Sequence, residues 1–451
     1  MTNTTPHIDL TAPQFRPGEA GYDEEIAGFQ TAYTHRPALV IGARHAEDVR
    51  SAVEYAARHG LPVAVQATGH GLSRAADGGV LIGTRRMTEV SIDPEARTAR
   101  VSAGVRAGAL IEAAVAHGLA PLNGSSASVG VIGYHLGGGL GILARTFGYA
   151  ADHVRAVEVV TADGRLRRLL PGDELFGAVL GTGGNFGVVT ALEIALFPIT
   201  TVYGGQLVFD IPLVPAALEA WRQWTARVPD EMTSAITTMT MPDIPAIPEP
   251  LRGRYIATIN IAYTGTEADG ERLVEELRAI GPRLRDDLRI MPYTETETIY
   301  GDPDFPHAYT ATNTLLSALP AEATAAFLDV TGPQSPTPVV AGFRHLGGAL
   351  RRPGPAGIAV DHRSAAYIAC FITAPESDGT TIRDHHTLIA KTLSPWTIGH
   401  SPNFLYGAGD LADEPQTRAG YERETYERLA ALKTTYDPVN LFRFNRNIAP
   451  Q

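Results

Sequence analysis

The chain has 451 residues, 44% hydrophobic and 19% charged, enough for two or three domains with cores of their own. A formal net charge of −12 argues against a nucleic-acid partner, which would require a basic face. The single cysteine, Cys370, excludes an internal disulfide and a cysteine-based metal cluster, and no run approaches the roughly 18 apolar residues of a membrane span.

The opening "MTNTTPHIDLTAPQFRPGEAGYDEE" has neither a basic nor an apolar leader region, so the expected location is cytoplasmic. Residues 38–41 then read as a strand. Val49, Val53, Ala56 and Ala57 follow at helical spacing, Gly60 suits a C-cap, and 63–65 form a second strand, together a βαβ unit. "TEVSIDPEARTARVSAG" alternates around an Asp93-Pro94 turn as a hairpin does, and "VRAGALIEAAVAHG" is a short helix ended by Gly118. Two glycine-dense blocks, "SASVGVIGYHLGGGLGILARTFG" and "GTGGNFGVVTALEIALFP", flank a further hairpin, "VRAVEVVTADGRLRRLL". From about residue 199 the character changes. Long strands such as "YIATINIAYTG" and "AAYIACFIT" alternate with helices such as "ADGERLVEELRAIG" and "AEATAAFLDVTG", the pattern of a sheet with helices on one side. The tail from 418 reads as an amphipathic helix followed by an extended segment.

In "QATGHGLSRAADGGV", His70 stands between Gly69 and Gly71, where a packing histidine would lack neighbours. Glycines bracket a residue when the backbone must take φ > 0 or when something bulky approaches the chain. Other chemistries fit poorly. "GLGILA" (139–144) matches a dinucleotide fingerprint with Glu158 about 20 residues on, but three consecutive glycines run into it and Glu158 falls inside a strand. "GTGGNFG" lacks the Lys-Ser/Thr of a phosphate loop, His385 and His386 are adjacent rather than at ligand spacing, and no G-x-S-x-G elbow exists. No metal site is expected.

The segments "VAVQATGHGLSRAADGGVLI", "SASVGVIGYHLGGGLGILARTFGYAADHVRAVEVVTADGRL", "ELFGAVLGTGGNFGVVTALEIALFP" and "YDPVNLFRFNRNI", in this order, resemble the berberine-bridge-enzyme-like branch of the FAD-linked oxidases, the vanillyl-alcohol-oxidase fold. The resemblance implies an α+β fold with an FAD-binding part at 1–198, a substrate-binding sheet-plus-helices domain at 199–395, and a 396–451 segment returning to the first. It implies FAD attached covalently through His70 alone, because Ser126 occupies the position of a second, cysteinyl attachment. Further implied flavin contacts are Ala67, Thr68, Gly69, Gly71, Leu72, Ser73, Ser128, Val129 and Gly130. Beyond these it implies Gly133, Gly137, Gly138, Gly139, Gly141, Gly187, Val188, Val189, Asn445 and Asn447. Val129 matches a position that gates oxygen. Ser401 stands where relatives carry a tyrosine that takes the substrate proton, two residues before Asn403. A hydroxyl of that kind cannot replace a phenol as proton acceptor, so His135, Tyr134, His400 and Tyr406 become candidates, with His135 first.

The implied activity is an oxidase that moves hydride from an alcohol or amine carbon of a small molecule or natural product of secondary metabolism to flavin N5, with O2 as acceptor. The missing tyrosine leaves open a flavin-containing cyclase or isomerase without net redox change, and a flavin-binding protein without chemistry. The substrate and the oligomeric state are not legible.

Overall fold

The structure, a computed structural model, describes residues 10–72, 74–374, 379–405 and 414–451. Ser73, Tyr406 and the first nine residues lie outside that set.

Three sheets organise the chain. The first has strands Leu39–Gly42 and Val63–Gln66 on either side of Val80–Gly83, all parallel, with Gln14–Phe15 antiparallel at one edge. The connecting helix, Ala46–Arg58, starts at a capping box in which Asp48 accepts from the backbone N–H groups of Arg44 and His45. It ends before Gly60, whose φ is +64°. Every residue of Leu39–Gly42 and Val80–Gly83 is buried, as befits parallel strands covered on both faces.

The second sheet is antiparallel, in the order Val90–Asp93, Thr98–Ser102, Val188–Ala195, Val154–Val160, Leu166–Leu169. Its first hairpin turns where Asp93 Oδ1 accepts from the N–H groups of Glu95 and Ala96. Glu158 lies within its strand, paired with Arg100 at 2.9 Å. The C-terminal helix Arg423–Tyr436 joins this core through Tyr426, Leu429 and Ala430, and Leu441, Phe442 and Ile448 follow it there.

The third sheet has nine strands, all antiparallel, from Thr201–Asp210 to Thr397–Gly399. Helices Val214–Thr225, Glu267–Arg278, Ala321–Thr331 and Gly379–Leu393 cover one face. Side chains alternate along each strand, so Ala341 and Phe343 enter that core while Arg344 between Phe343 and His345 points the other way. The uncovered face rests on the segment around residues 140–149. Leu140, Ala144 and Tyr149 pack with Leu315, Ile368 and Cys370. Arg145, buried, closes this junction: its Nε donates to the Met232 carbonyl at 2.7 Å, and its Nη1 to His345 Nε2 at 3.0 Å and to the Leu346 carbonyl.

Candidate flavin site

The turn after Val63–Gln66 is fixed from behind by a buried amide. Gln66 Nε2 donates to the carbonyls of Ile26 and Ala27, and its Oε1 accepts from His35 Nε2 at 3.0 Å. His35 Nδ1 accepts from the Ala76 N–H, which assigns the ring proton to Nε2. Burial holds this histidine below its ordinary pKa, hence neutral. Gly69, at φ +74°, passes so near residues 28–29 that a Cβ would lie 2.7 Å from Gly28 Cα. Two backbone bonds, Phe29 N–H to the Thr68 carbonyl and Gln30 N–H to that of Gly69, complete the junction.

His70 emerges from this turn half-buried. Its ring stacks on Phe29 with centroids 3.8 Å apart and planes 12° apart. Nδ1 lies 3.0 Å from Thr68 Oγ1, and Nε2 lies 2.9 Å from Ser128 Oγ, which is 2.8 Å from Ser126 Oγ. Tyr309 Oη donates to the His70 carbonyl at 2.7 Å. Desolvation first, then the positive charges of Arg106 and His307, push the His70 pKa down to about 4. The imidazole is therefore neutral at pH 7 and retains a lone pair on one nitrogen.

The structure thus brings Thr68, Gly69, His70, Ser126 and Ser128 together, and Gly130 abuts Thr68 from the second glycine block. Ala67, Leu72 and Val129 lie half-buried beside them. Gly71 and Gly133 have nothing within 4 Å of an added Cβ, nor have Gly183 and Gly184 of "GTGGN", whose loop meets the end of helix Val131–Leu136 through N–H bonds to the Leu136 carbonyl. Reading the sequence did not single out those last two glycines. Their signal was a block too glycine-dense for a strand and without a phosphate-loop lysine.

Other implied contacts land differently. A Cβ at Gly137 would collide with Asn403 Oδ1, one at Gly138 would meet Val360 at 3.2 Å, one at Gly139 Ala150 at 2.6 Å, and one at Gly141 the Asn123 carbonyl at 2.5 Å. Those glycines give room to protein atoms. Gly187 is required by the Val160 carbonyl, and Val188 and Val189 belong to the core of the second sheet. His135 is turned the same way. It shares the buried side of its helix with Val131, Ile132 and Leu136, its Nδ1 donates to the Val131 carbonyl at 2.8 Å, and burial lowers its pKa to about 4. A helix presents residues one turn apart on one face, so Val131 takes His135 into the core with it.

On the opposite side of that helix, Asn403 Nδ2 donates to the Tyr134 carbonyl at 2.9 Å. The Tyr134 hydroxyl is buried without a hydrogen-bond partner among the described residues, and desolvation raises its pKa above the ordinary phenol value. Ser401 is held by its backbone, exchanging bonds of 2.8 and 2.9 Å with the Asn313 amide, and burial lowers the pKa of neighbouring His400. Above them, on the uncovered face of the nine-stranded sheet, the Arg344 guanidinium lies over Tyr300 at 4.8 Å and over Phe404 at 5.1 Å. Burial raises the Cys370 thiol to about 11.

Asn445 and Asn447 each leave Oδ1 buried and unbonded among the described residues, close to where the C-terminal tail is anchored. That anchor is Asn185, whose amide bonds the carbonyls of Thr182 and Arg446 and the Ile448 N–H. Beside it Lys433 Nζ donates to the Asn185 and Phe442 carbonyls and to Asp437 Oδ2, with both ionic side chains fully buried. Neither Asn185 nor this ion pair was read as functional from the sequence. The signal was present: Lys433 falls on the apolar stripe of its helix, seven residues after Tyr426.

Open-faced glycines around a stacked neutral imidazole, with unbonded polar atoms on Tyr134, Asn445 and Asn447, fit a large polar aromatic cofactor. Residues 37–170 match the FAD binding domain family, and residues 409–449 match the berberine and berberine-like family. Together the two matches mark the chain as similar to the berberine-bridge-enzyme-like FAD-linked oxidoreductases. An FAD-linked oxidoreductase of Dictyostelium discoideum is 27% identical, with 97% of this chain and 94% of that one aligned. (R)-6-hydroxynicotine oxidase of Paenarthrobacter nicotinovorans is also 27% identical, over 96% of each chain. The crystal structure of 6-hydroxy-D-nicotine oxidase from Arthrobacter nicotinovorans superposes with a TM-score of 0.84 at 25% identity, covering 99% of this chain and 100% of that one. A chitooligosaccharide oxidase, at 22% identity and a TM-score of 0.83 over 98% and 97% of the chains, shares the fold. This FAD-linked oxidoreductase therefore has the vanillyl-alcohol-oxidase architecture, and no helix among its described residues is long and apolar enough to cross a membrane.

Proposed function

We propose that the protein is an FAD-dependent oxidase that takes a hydride from an amine or alcohol carbon of a small organic substrate, with O2 as acceptor and His70 as the single covalent attachment. The observation that carries this reading is the His70 turn: a neutral imidazole held on Phe29, edged by open-faced glycines. FAD would be held by the 67–72 turn, Ser126 to Gly130, Gly133, Gly183, Gly184 and the Asn445 and Asn447 side chains, and when bound it supplies the electron sink. Residues 1–198 and 396–451 would form the flavin part and 199–395 the substrate part, although strand Thr397–Gly399 pairs within the nine-stranded sheet. That sheet roofs the substrate with Arg344, Tyr300 and Phe404.

Of the two substrate classes the amine fits better. A neutral amine releases hydride with its own lone pair, whereas an alcohol needs a partner to accept its hydroxyl proton. With His135 in the core at a pKa of about 4 and the Tyr134 phenol raised by burial, neither candidate on helix Val131–Leu136 is suited to accept that proton at neutral pH. The same observation favours, as a second reading, a cyclase or isomerase that needs no such proton transfer. Anaerobic mixing with a panel of secondary amines and alcohols separates them. Bleaching of the flavin by amines, with peroxide formed in air, is the expected outcome. An unbleached flavin and a product of unchanged mass would select the cyclase.

A further inference from the structure

The hydroxyl pair beside His70 has no place in hydride transfer, and its geometry is that of a short proton path. Ser128 Oγ is 2.9 Å from His70 Nε2 and 2.8 Å from Ser126 Oγ, while the Ser128 N–H also points to Ser126 Oγ at 3.3 Å. The opposite nitrogen, Nδ1, is bonded only within its own turn, to Thr68 Oγ1 at 3.0 Å. The Nε2 contact crosses to a separate segment. That segment is itself braced by backbone bonds from Ala107 to the Val129 carbonyl, Gly108 to that of Ala127, and Val131 to that of Val105.

We propose that Ser128 and Ser126 form a relay that removes the His70 Nε2 proton as flavin becomes attached, making Ser128 a positioning and proton-accepting residue for cofactor attachment. The proposal rests on the covalent reading of His70 given above. In the step, Nδ1 forms a bond to the C8 methyl carbon of the flavin as one methyl C–H bond breaks. The methyl proton leaves, and the electron pair of that bond passes through the flavin to dioxygen. Alkylation at Nδ1 would leave a cationic imidazolium, so the Nε2–H proton moves to Ser128 Oγ as the Ser128 hydroxyl proton moves to Ser126 Oγ. The two protons released and the two electrons convert one O2 to one hydrogen peroxide. A cation here would lie in the surroundings that already depress protonation of this ring, beside Arg106 and His307, so prompt removal of the proton lowers the barrier. Ser126 is half-buried, which gives the path an outlet. Where relatives carry a cysteinyl attachment, the hydroxyl of Ser126 completes the chain instead.

The test is the covalent fraction of purified holoprotein at successive times after induction. It is read as flavin remaining in the acid-precipitated pellet and as the mass of the His70 peptide, with flavin in the supernatant reporting non-covalent binding. Ser128→Ala is expected to slow attachment at least tenfold per molecule of non-covalently bound FAD, Ser126→Ala to slow it several-fold on the same basis, and Ser128→Thr, which keeps the hydroxyl, to restore it. Attachment in Ser128→Ala at the parent rate would overturn the relay and leave the covalent reading intact, and so would failure of Ser128→Thr to restore a lost attachment. Unmodified His70 in flavin-loaded parent protein would overturn the covalent reading, and the relay with it.

Discussion

In the flavin-binding region the fully or nearly buried residues include Lys433, Asp437, Asn185, His35 and Gln66, each bonded to named partners, and the strands are short. Beneath the nine-stranded sheet they include Trp221, Trp224, Tyr203, Phe209, Phe327, Phe343 and Phe371, on strands of up to ten residues. The two indoles there find acceptors in Ser234 and the Leu273 carbonyl. On the proposed function, the difference follows from what each region would hold. A cofactor threaded between loops needs irregular backbone, and irregular backbone needs buried polar side chains to satisfy it. A roof over a substrate needs only a stiff face, which a sheet backed by large apolar groups supplies.

The contrast can be broken most severely at Lys433. Lys433→Ala would leave the Asp437 carboxylate buried without its cation, a loss expected to cost about 3–5 kcal/mol in a urea titration and to release the tail from Asn185. Trp221→Ala is expected to cost a similar amount, about 3–5 kcal/mol, by opening a cavity under the sheet. The two should part on the cofactor. Flavin content should fall in the first variant and persist in the second, and equal flavin loss would erase the distinction between the regions. Next comes Gly69→Ala, which combines a left-handed backbone with a contact on Gly28. It should cost roughly 1–2 kcal/mol from the backbone alone and cut covalent flavin sharply.

Acid should sharpen the comparison further, because buried neutral histidines occur in both regions. The pKa of His135 is lowered to about 4, that of His345 to about 3 and that of His386 to about 4, in each case chiefly by burial. The unfolded chain binds these protons first, from its reference pKa of about 6.5 downward, so stability should fall as the pH drops from 6.5 toward 4. Each histidine should contribute a loss of about 1.4 kcal/mol for every pH unit between its unfolded and folded pKa values. His135→Phe should flatten part of that slope in chemical denaturation. It should leave flavin reduction by an amine at the parent rate, because the ring faces the core. The smallest effect is expected at Cys370. Cys370→Ser should change neither the visible spectrum nor the flavin content, and a spectral shift would place the thiol against the flavin.

Much of this was legible where the signal is local. The 38–65 unit, the hairpins at Asp93 and at 154–169, Gly118 and the alternation of the long strands all follow from periodicity and turn residues within a few positions of one another. The central place of Val80–Gly83 in the first sheet was not, because parallel pairing is decided by chain segments far apart. The helix Val131–Leu136 was hidden among glycines, which are poor helix formers and here serve as its ends. At the site, the bracketing of His70 was readable, but the partners of its nitrogens were not. The burial of His135 was hidden for a related reason: standing next to a glycine cluster in sequence does not say which face of a short helix a residue takes.

Lysine occurs in this chain only at positions 391 and 433, the first exposed and the second with every N–H donor spent on Asn185, Phe442 and Asp437. Acylating reagents would therefore meet one reactive side-chain amine on the folded molecule and a second only when the C-terminal helix lets go. A tag on Lys391 becomes a fixed handle for immobilisation or a dye, and the rate at which Lys433 acquires one is a clock for the opening of the flavin-binding region, read at a single atom.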